Sequence, residues 1–120
     1  GSLLGTGFPF RDQKDWLEVY LDIFTDFTKI VGAIRRPGSA ALDLAYVASG
    51  RYDGFWEFGL KPWDVAAGVL LIQEAGGIVQ NIIPDTDPVE SGSLFCGNPK
   101  IFEGMQEIIH QYDKRLKAFA

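Results

Sequence analysis

Hydrophobic and polar residues alternate along this chain in blocks that predict helices separated by short strands. Residues 3–7 read as a strand that stops at Phe8-Pro9. Apolar positions then recur at spacings of three and four from Trp16 to Val31, which predicts a helix beginning at the cap residue Asp12. The acidic residues among them predict the solvated face of that helix. These are Asp12, Asp15, Glu18, Asp22 and Asp26.

The same alternation continues to the C-terminus. Predicted strands cover residues 33–36, 52–58, 78–83 and 93–96, and a polar turn region covers residues 84–92. Predicted helices cover residues 39–48, 62–75 and 98–117, with Ser39 and Asn98 as caps and Pro62 and Pro99 in first turns. Strands that alternate with helices predict an α/β domain, with a mixed, mainly parallel sheet layered with helices.

Length and charge limit the classes of protein that fit. The 120 residues suffice for one compact domain, residues 1–120, and 47% hydrophobic with 22% charged residues is an ordinary globular composition. The net charge of −5 argues against direct nucleic-acid binding, which usually uses a basic patch. An acidic protein can still bind phosphates if metal ions carry the positive charge.

Cysteine usage and the absence of targeting segments indicate a cytoplasmic protein. Cys96 is the only cysteine, has no metal-ligand neighbours in sequence, and is expected in the core. No apolar run approaches the roughly 18 residues of a membrane span, and the first residues lack the basic-then-apolar order of a signal peptide. Since the chain starts without Met and in what reads as the middle of a structure, we expect a fragment or a processed product.

The first candidate site is the turn Pro37-Gly38-Ser39-Ala40-Ala41, which leads into a helix. Unpaired backbone N–H groups at a helix N-terminus can bind an anion or a hydroxyl oxygen, and small side chains allow close approach. The alternative is an ordinary capped helix start with a glycine turn, and this segment taken alone favours that alternative, because such turns are common.

The second candidate is Glu57, which ends the aromatic segment Phe55-Trp56-Glu57-Phe58. A carboxylate at a strand end can accept hydrogen bonds from sugar hydroxyls. The alternative is an outward-facing residue on a half-buried strand, and the alternation of the strand favours this alternative.

The third candidate is Asp64 in Lys61-Pro62-Trp63-Asp64, at the first turn of a predicted helix. An acid there complements the helix dipole, which is worth about 0.3–1 kcal/mol. It could also be a ligand for Mg²⁺, which takes hard oxygen donors and typically one or two protein carboxylates. Among the other polar residues, His110 is expected on the surface, and Arg35 and Arg36 could contact phosphate or a subunit.

The joint order of these segments resembles the C-terminal signature of the inositol monophosphatase family. The matching segments are residues 38–50 (GSAALDLAYVASG), 53–57 (DGFWE), 61–68 (KPWDVAAG), 74–77 (EAGG) and 97–99 (GNP). The resemblance covers nearly the whole chain, and the residues of these motifs are similar to those of bacterial members.

The resemblance implies an Mg²⁺-dependent phosphomonoesterase, in a family with many lithium-inhibited members, acting on inositol phosphates or related sugar phosphates. It implies Asp64 as a catalytic Mg²⁺ ligand and Glu57 as the ligand of a substrate hydroxyl. It implies Gly38, Ser39 and Ala40 as pocket residues that act through their backbone. A homodimer is also implied.

One departure from the family pattern is an absence. The motif with the Asp-Pro-x-Asp-Gly-Thr core and the upstream glutamates are missing from this sequence. We therefore expect the N-terminal metal-binding domain to be absent, and the isolated chain to be catalytically silent and prone to associate. The alternative function is a non-catalytic dimerisation or protein-interaction module.

Overall fold

The computed structural model describes residues 2–7, 14–35 and 39–119, which form one sheet with helices on both faces. The strands are β1 (Leu3–Thr6), β2 (Ala33–Arg35), β3 (Gly54–Glu57), β4 (Ile78–Asn81) and β5 (Leu94–Gly97). The helices are α1 (Lys14–Phe27), α2 (Ala40–Ala48), α3 (Pro62–Glu74), α4 (Pro88–Ser91), α5 (Pro99–His110) and α6 (Asp113–Leu116), followed by a 3₁₀ turn (Lys117–Phe119).

The strand order in the sheet is β2-β1-β3-β5-β4. β1 pairs in parallel with β2 and β3, whereas β5 is antiparallel to both β3 and β4. Four strands therefore point in one direction and β5 alone points in the other, which confirms the predicted mixed, mainly parallel sheet. The parallel connections carry α1 and α2, as expected for βαβ units.

Alternate side chains of each strand enter two separate cores, one on each face of the sheet. The first core lies under α1 and α5 and is rich in aromatic residues. Trp56 is fully buried there, with its ring 4.6 Å from that of Phe27 in an edge-on contact and 5.9 Å from that of Tyr20. The Tyr20 hydroxyl lies 3.0 Å from the Thr6 hydroxyl, which also donates to the Trp56 carbonyl.

The second core lies under α2 and α3. It contains Leu44 from α2, Val65 and Ile72 from α3, and Phe55 and Cys96 from the sheet. The two helices approach closely because Gly68 faces Leu44, and a Cβ on this glycine would lie 2.6 Å from the Cβ of Leu44. Cys96 is fully buried, as predicted, and burial raises the pKa of its thiol to about 12.

Two predicted segments differ from the structure in the elements that they contain. The turn region 84–92 contains the short helix α4, which Asp87 caps by accepting from the amides of Val89 and Glu90. The helix predicted over 98–117 is interrupted after His110 and resumes as α6. The predicted cap Asp12 lies outside the described residues. No helix within the described ranges is long and apolar enough to span a membrane.

Candidate functional site

The candidate residues converge on one edge of the sheet because of its topology. β1, β2 and β3 are parallel, so their carboxyl ends meet at the same edge. β3 ends there with Glu57, and the next helix, α3, begins beside it with Asp64 in its first turn. α2 follows β2 and likewise begins at this edge. The described candidates, distant in sequence, therefore share one end of the molecule.

The start of α2 has the capped form that its sequence predicts. The Ser39 hydroxyl accepts a long hydrogen bond of 3.4 Å from the Leu42 amide, and the Ser39 carbonyl accepts from the Asp43 amide. Because its side chain is a cap, Ser39 offers a ligand chiefly its backbone. Ala40 opens the helix with a side chain too small to cover the turn. Gly38 lies outside the described residues.

Glu57 is buried, with only 9% of its surface exposed, so the interpretation as an outward-facing residue is wrong. The reason is a long-range contact with the end of β1 that the alternation of β3 cannot reveal. The carboxylate lies against Gly7, where a Cβ would be 1.6 Å from its Oε1 atom. A glycine at this position is therefore what leaves room for the carboxylate at the sheet edge.

Asp64 is exposed in the first turn of α3, where the sequence places it. The cap residue Lys61 makes no side-chain hydrogen bond to the helix, and Pro62 has no N–H to satisfy. The start of α3 is thus less fully capped than that of α2. Its partial positive charge favours an acidic side chain or an anionic ligand at this point.

A metal centre of several ions does not fit the described residues alone. No group of three or more His, Cys, Asp or Glu side chains in residues 2–7, 14–35 and 39–119 could hold a metal ion. Asp64 nevertheless has the right donor chemistry for Mg²⁺, since it is an exposed carboxylate at an open edge. Among the described residues, Asp64 therefore has the chemistry of one metal ligand but does not belong to a complete metal site.

Asp43 and Ser93 are buried polar residues that the sequence did not single out. Asp43 is 1% exposed, its Oδ1 atom has no hydrogen-bond partner, and burial raises the pKa of its carboxyl to about 6. The signal that could have found it is a lone acid in the otherwise apolar α2. Ser93 precedes β5 and is fully buried. No local pattern marks it, because its hydroxyl accepts a hydrogen bond from the amide of Gly59, 34 residues away in sequence.

A cavity and the single histidine, His110, lie away from this edge. A cavity of about 150 Å³ between the ends of α2 and α3 and the start of α5 is lined by residues such as Val47, Gly76 and Asn98. None of its lining residues is acidic, and it occupies the opposite edge of the sheet. His110 is exposed in the last turn of α5, as predicted.

A five-stranded mixed sheet with helices on both faces and polar groups at one edge defines an α/β protein with its candidate site at the strand ends. The model of the inositol monophosphatase family matches residues 1–114. The chain therefore belongs to the inositol monophosphatase family.

Sequence relatives and solved structures agree with this assignment. A Nus factor SuhB of Pseudomonas aeruginosa is 52% identical over 113 residues, which are 93% of this chain and 42% of the relative. The extragenic suppressor protein suhB of Bartonella henselae has a TM-score of 0.81 at 39% identity, over 90% of this chain and 41% of that one. An inositol monophosphatase from Anabaena has a TM-score of 0.80 at 40% identity, over 92% and 43%. The chain thus spans about two fifths of the length of these relatives.

Proposed function

We propose that residues 1–120 are the C-terminal domain of an Mg²⁺-dependent phosphatase that hydrolyses inositol monophosphate or a related sugar phosphate. The observation that carries the proposal is that two carboxylates lie at the same sheet edge. Glu57 is buried there and Asp64 is exposed. Family membership supports phosphate-ester chemistry. The ion, the substrate and the roles of these residues are the proposed part.

In this proposal the two carboxylates have different tasks. Asp64 is exposed beside a helix start and ligates Mg²⁺, the ion that activates water and neutralises the phosphate when bound. Glu57 is fixed against Gly7 and accepts a hydrogen bond from a hydroxyl of the polyol. The start of α2, with Gly38, Ser39 and Ala40, lines the pocket with backbone groups.

The remaining ligands come from a further domain in the full-length protein, which we place N-terminal to this chain. The outer face of α3 supports such a domain. Trp63, Leu70 and Leu71 are 77%, 57% and 48% exposed there, and no polar residue separates Asp64 from Gln73. A helix that is apolar on both faces is expected between two layers of structure.

Phosphate release from inositol 1-phosphate by the full-length protein, measured against Mg²⁺ concentration and with lithium, tests the assignment. Asp64→Asn should lower the rate more than about 100-fold, because even the outer partners of metal ligands are worth about 10- to 100-fold. The matched control is Glu74→Gln, an exposed acid at the other end of the same helix, which should keep the rate. Equal rates for the two variants would contradict the role of Asp64.

The role of Glu57 needs a different comparison. Glu57→Gln should raise KM for inositol 1-phosphate about tenfold, the value of one hydrogen bond to a charged group. It should leave KM for p-nitrophenyl phosphate, which has no polyol, nearly unchanged. Glu90→Gln, an exposed acid in α4, is the control. An equal rise for both substrates would exclude a hydroxyl contact.

A second candidate function is a protein-interaction or dimerisation module. Relatives at 52% and 48% identity are named Nus factors, and the exposed Trp63 offers a large apolar contact. Sedimentation of the full-length protein with and without Trp63→Ser tests it. This candidate is supported if the wild type associates, the variant does not, and neither hydrolyses phosphate esters.

A further inference from the structure

A short connection in the chain joins the two candidate site carboxylates, Glu57 and Asp64. β3 ends at Glu57 and α3 begins at Pro62, so only residues 58–61 connect them. Any movement of this connection changes the distance between the two carboxylates. The contacts that hold residues 58–61 therefore bear directly on the geometry of the site.

Ser93 provides the central contact to this connection. Its hydroxyl accepts a 2.9 Å hydrogen bond from the Gly59 amide, and Ser93 itself has no exposed surface. The next amide, that of Leu60, donates at 2.9 Å to the carbonyl of Gly92. Since β3 and β5 pair as far as Glu57 and Leu94, these two bonds extend the pairing beyond the strand.

Close packing leaves the connection little freedom around these hydrogen bonds. Gly59 has a φ of +70°, and a Cβ there would lie 2.4 Å from Cζ3 of Trp16 in α1. Gly92 also has a φ of +70°, and a Cβ there would lie 1.7 Å from the Leu60 carbonyl oxygen. Both glycines are thus required by backbone conformation and by space. The Gly59 peptide is held between an indole ring and a buried hydroxyl.

Ser93 is itself fixed from the α4 side. The Ser93 amide donates to the Ser91 hydroxyl at 3.2 Å, and the Ser93 carbonyl accepts from the Ile82 amide at 3.0 Å. Ser91 ends α4, whose start is capped by Asp87. The hydroxyl is therefore presented by a rigid segment and not by a free loop. A group held this way can set the position of what it binds.

We propose that Ser93 is a positioning residue, whose hydroxyl fixes residues 58–61 and thereby the separation of Glu57 and Asp64. It contacts neither metal nor substrate. The inference rests on the roles of Glu57 and Asp64 in the proposed function. It adds that the α4–β5 segment, far from both residues in sequence, determines how well they act together.

The test compares Ser93→Ala, Ser93→Thr and the control Ile109→Val in the full-length protein. Ile109 is fully buried on α5 in the other core, so its truncation lowers stability without touching this edge. Ser93→Ala should raise both KM and the Mg²⁺ concentration for half-maximal activity about fivefold or more, because small misplacements at a site are costly. Ser93→Thr keeps the hydroxyl and should restore both constants. Ile109→Val should change neither.

Hydrogen exchange of the peptides covering residues 58–64 gives a readout that does not depend on activity. Ser93→Ala should exchange faster there than the wild type, whereas Ile109→Val should not. If Ser93→Ala does not fold, Ser93→Cys leaves no cavity, replaces the hydroxyl with a poorer acceptor and should show the same local change to a smaller extent.

The outcomes separate this inference from the proposed function. Unchanged kinetic constants with unchanged exchange over 58–64 would overturn the positioning role while the wild type remains an active phosphatase. A wild type without Mg²⁺-dependent hydrolysis would instead remove the proposed function. Exchange alone then decides whether Ser93 holds the connection: faster exchange confined to 58–64 supports it, and a uniform change overturns it.

Discussion

The two helical layers of this domain cover the sheet in different ways. α1 and α5 place apolar residues on the sheet and polar residues such as Glu18, Glu103 and Glu107 outside. α2 and α3 are apolar on both faces, and the one acid within α2, Asp43, points into the interior. Only the second layer adjoins both candidate carboxylates.

This difference is what the proposed function predicts, because a further domain would give the two layers different surroundings in the full-length protein. Contacts between elements complete the first layer, where Arg115 of α6 pairs with Asp22 of α1 at 2.7 Å and the Tyr112 hydroxyl donates to Asp26. The second layer has exposed leucines on α3 and no ion pair among its described residues. We infer that α2 and α3 become interior helices once the rest of the protein is present.

The largest expected effect comes from two leucines that are equally exposed in this domain. Leu71 on α3 is 48% exposed and Leu21 on α1 is 46% exposed. In the full-length protein Leu71→Ser should lower the free energy of unfolding by about 2–4 kcal/mol, since the proposed further domain would bury that position. Leu21→Ser should change it by about 0.5 kcal/mol or less. Denaturant unfolding of both variants measures the difference.

Equal effects of the two substitutions would show that α3 is a surface helix in the full-length protein as well. A third measurement sharpens the comparison in the isolated 120-residue chain. There both leucines face solvent, so both serine variants should have similar unfolding free energies. Leu71→Ser should in addition reduce self-association, because it removes part of an exposed apolar face.

Two aspartates, one in each helical layer, have pKa shifts in opposite directions. The stability of the protein should therefore depend on pH in opposite ways at the two sites. Burial raises the pKa of Asp43 to about 6, above its unfolded value of 3.8, so its favourable contribution is complete below pH 3.8 and is lost as pH rises through 6. Asp43→Asn should therefore stabilise the full-length protein above pH 6, by up to about 3 kcal/mol. The gain should shrink as pH falls towards 4.

Asp26 on α1 has a pKa shift in the opposite direction to that of Asp43. Its hydrogen bond from Tyr112 lowers the pKa of its carboxyl, so its contribution is present above pH 3.8 and is lost as pH falls through the lower folded value. Asp26→Asn should destabilise at neutral pH by no more than about 1 kcal/mol, since the site is partly exposed. Unfolding free energies should therefore be measured from below pH 3 up to pH 8: the effect of Asp43→Asn should grow as pH rises from about 4 to 6, and the effect of Asp26→Asn should shrink as pH falls below 3.8. Parallel curves would contradict the assignment of either pKa shift.

Local signals were sufficient for much of the fold. The caps Ser39 and Asn98 and the first-turn prolines lie where the sequence predicts, because each acts on the helix that it begins. The Asn98 side chain accepts from the Ile101 amide at 2.9 Å. Spacings of three and four indicated α1 because that helix has one apolar stripe, although it ends at Phe27 and not at the predicted Val31.

What the sequence could not predict depends on contacts between distant segments. Nothing in residues 98–117 marks the interruption after His110, where Tyr112 and Arg115 turn towards α1. The burial of Glu57 follows from a glycine 50 positions earlier. Local alternation describes one strand, whereas burial at an edge depends on what adjoins that strand.

The smallest expected effect distinguishes two helix glycines, one in each layer. Gly68 of α3 faces Leu44, and a Cβ there would lie 2.6 Å from the Leu44 Cβ, so α2 and α3 would have to separate. Gly104 of α5 faces only the Cδ1 of Ile30 at 3.3 Å, at the end of a side chain that is 44% exposed and can move. Substitution by alanine gains about 1 kcal/mol of helix propensity at either site. Overpacking at Gly68 costs about 1–3 kcal/mol, which exceeds that gain.

Gly68→Ala should therefore lower the unfolding free energy of the full-length protein by about 1 kcal/mol, and Gly104→Ala should raise it by about 0.5 kcal/mol. Chemical denaturation of the two variants beside the wild type measures both signs. A stabilising Gly68→Ala would mean that α2 and α3 can move apart freely. The second layer would then not be held between the sheet and a further domain, because a helix enclosed on both sides has no room to move.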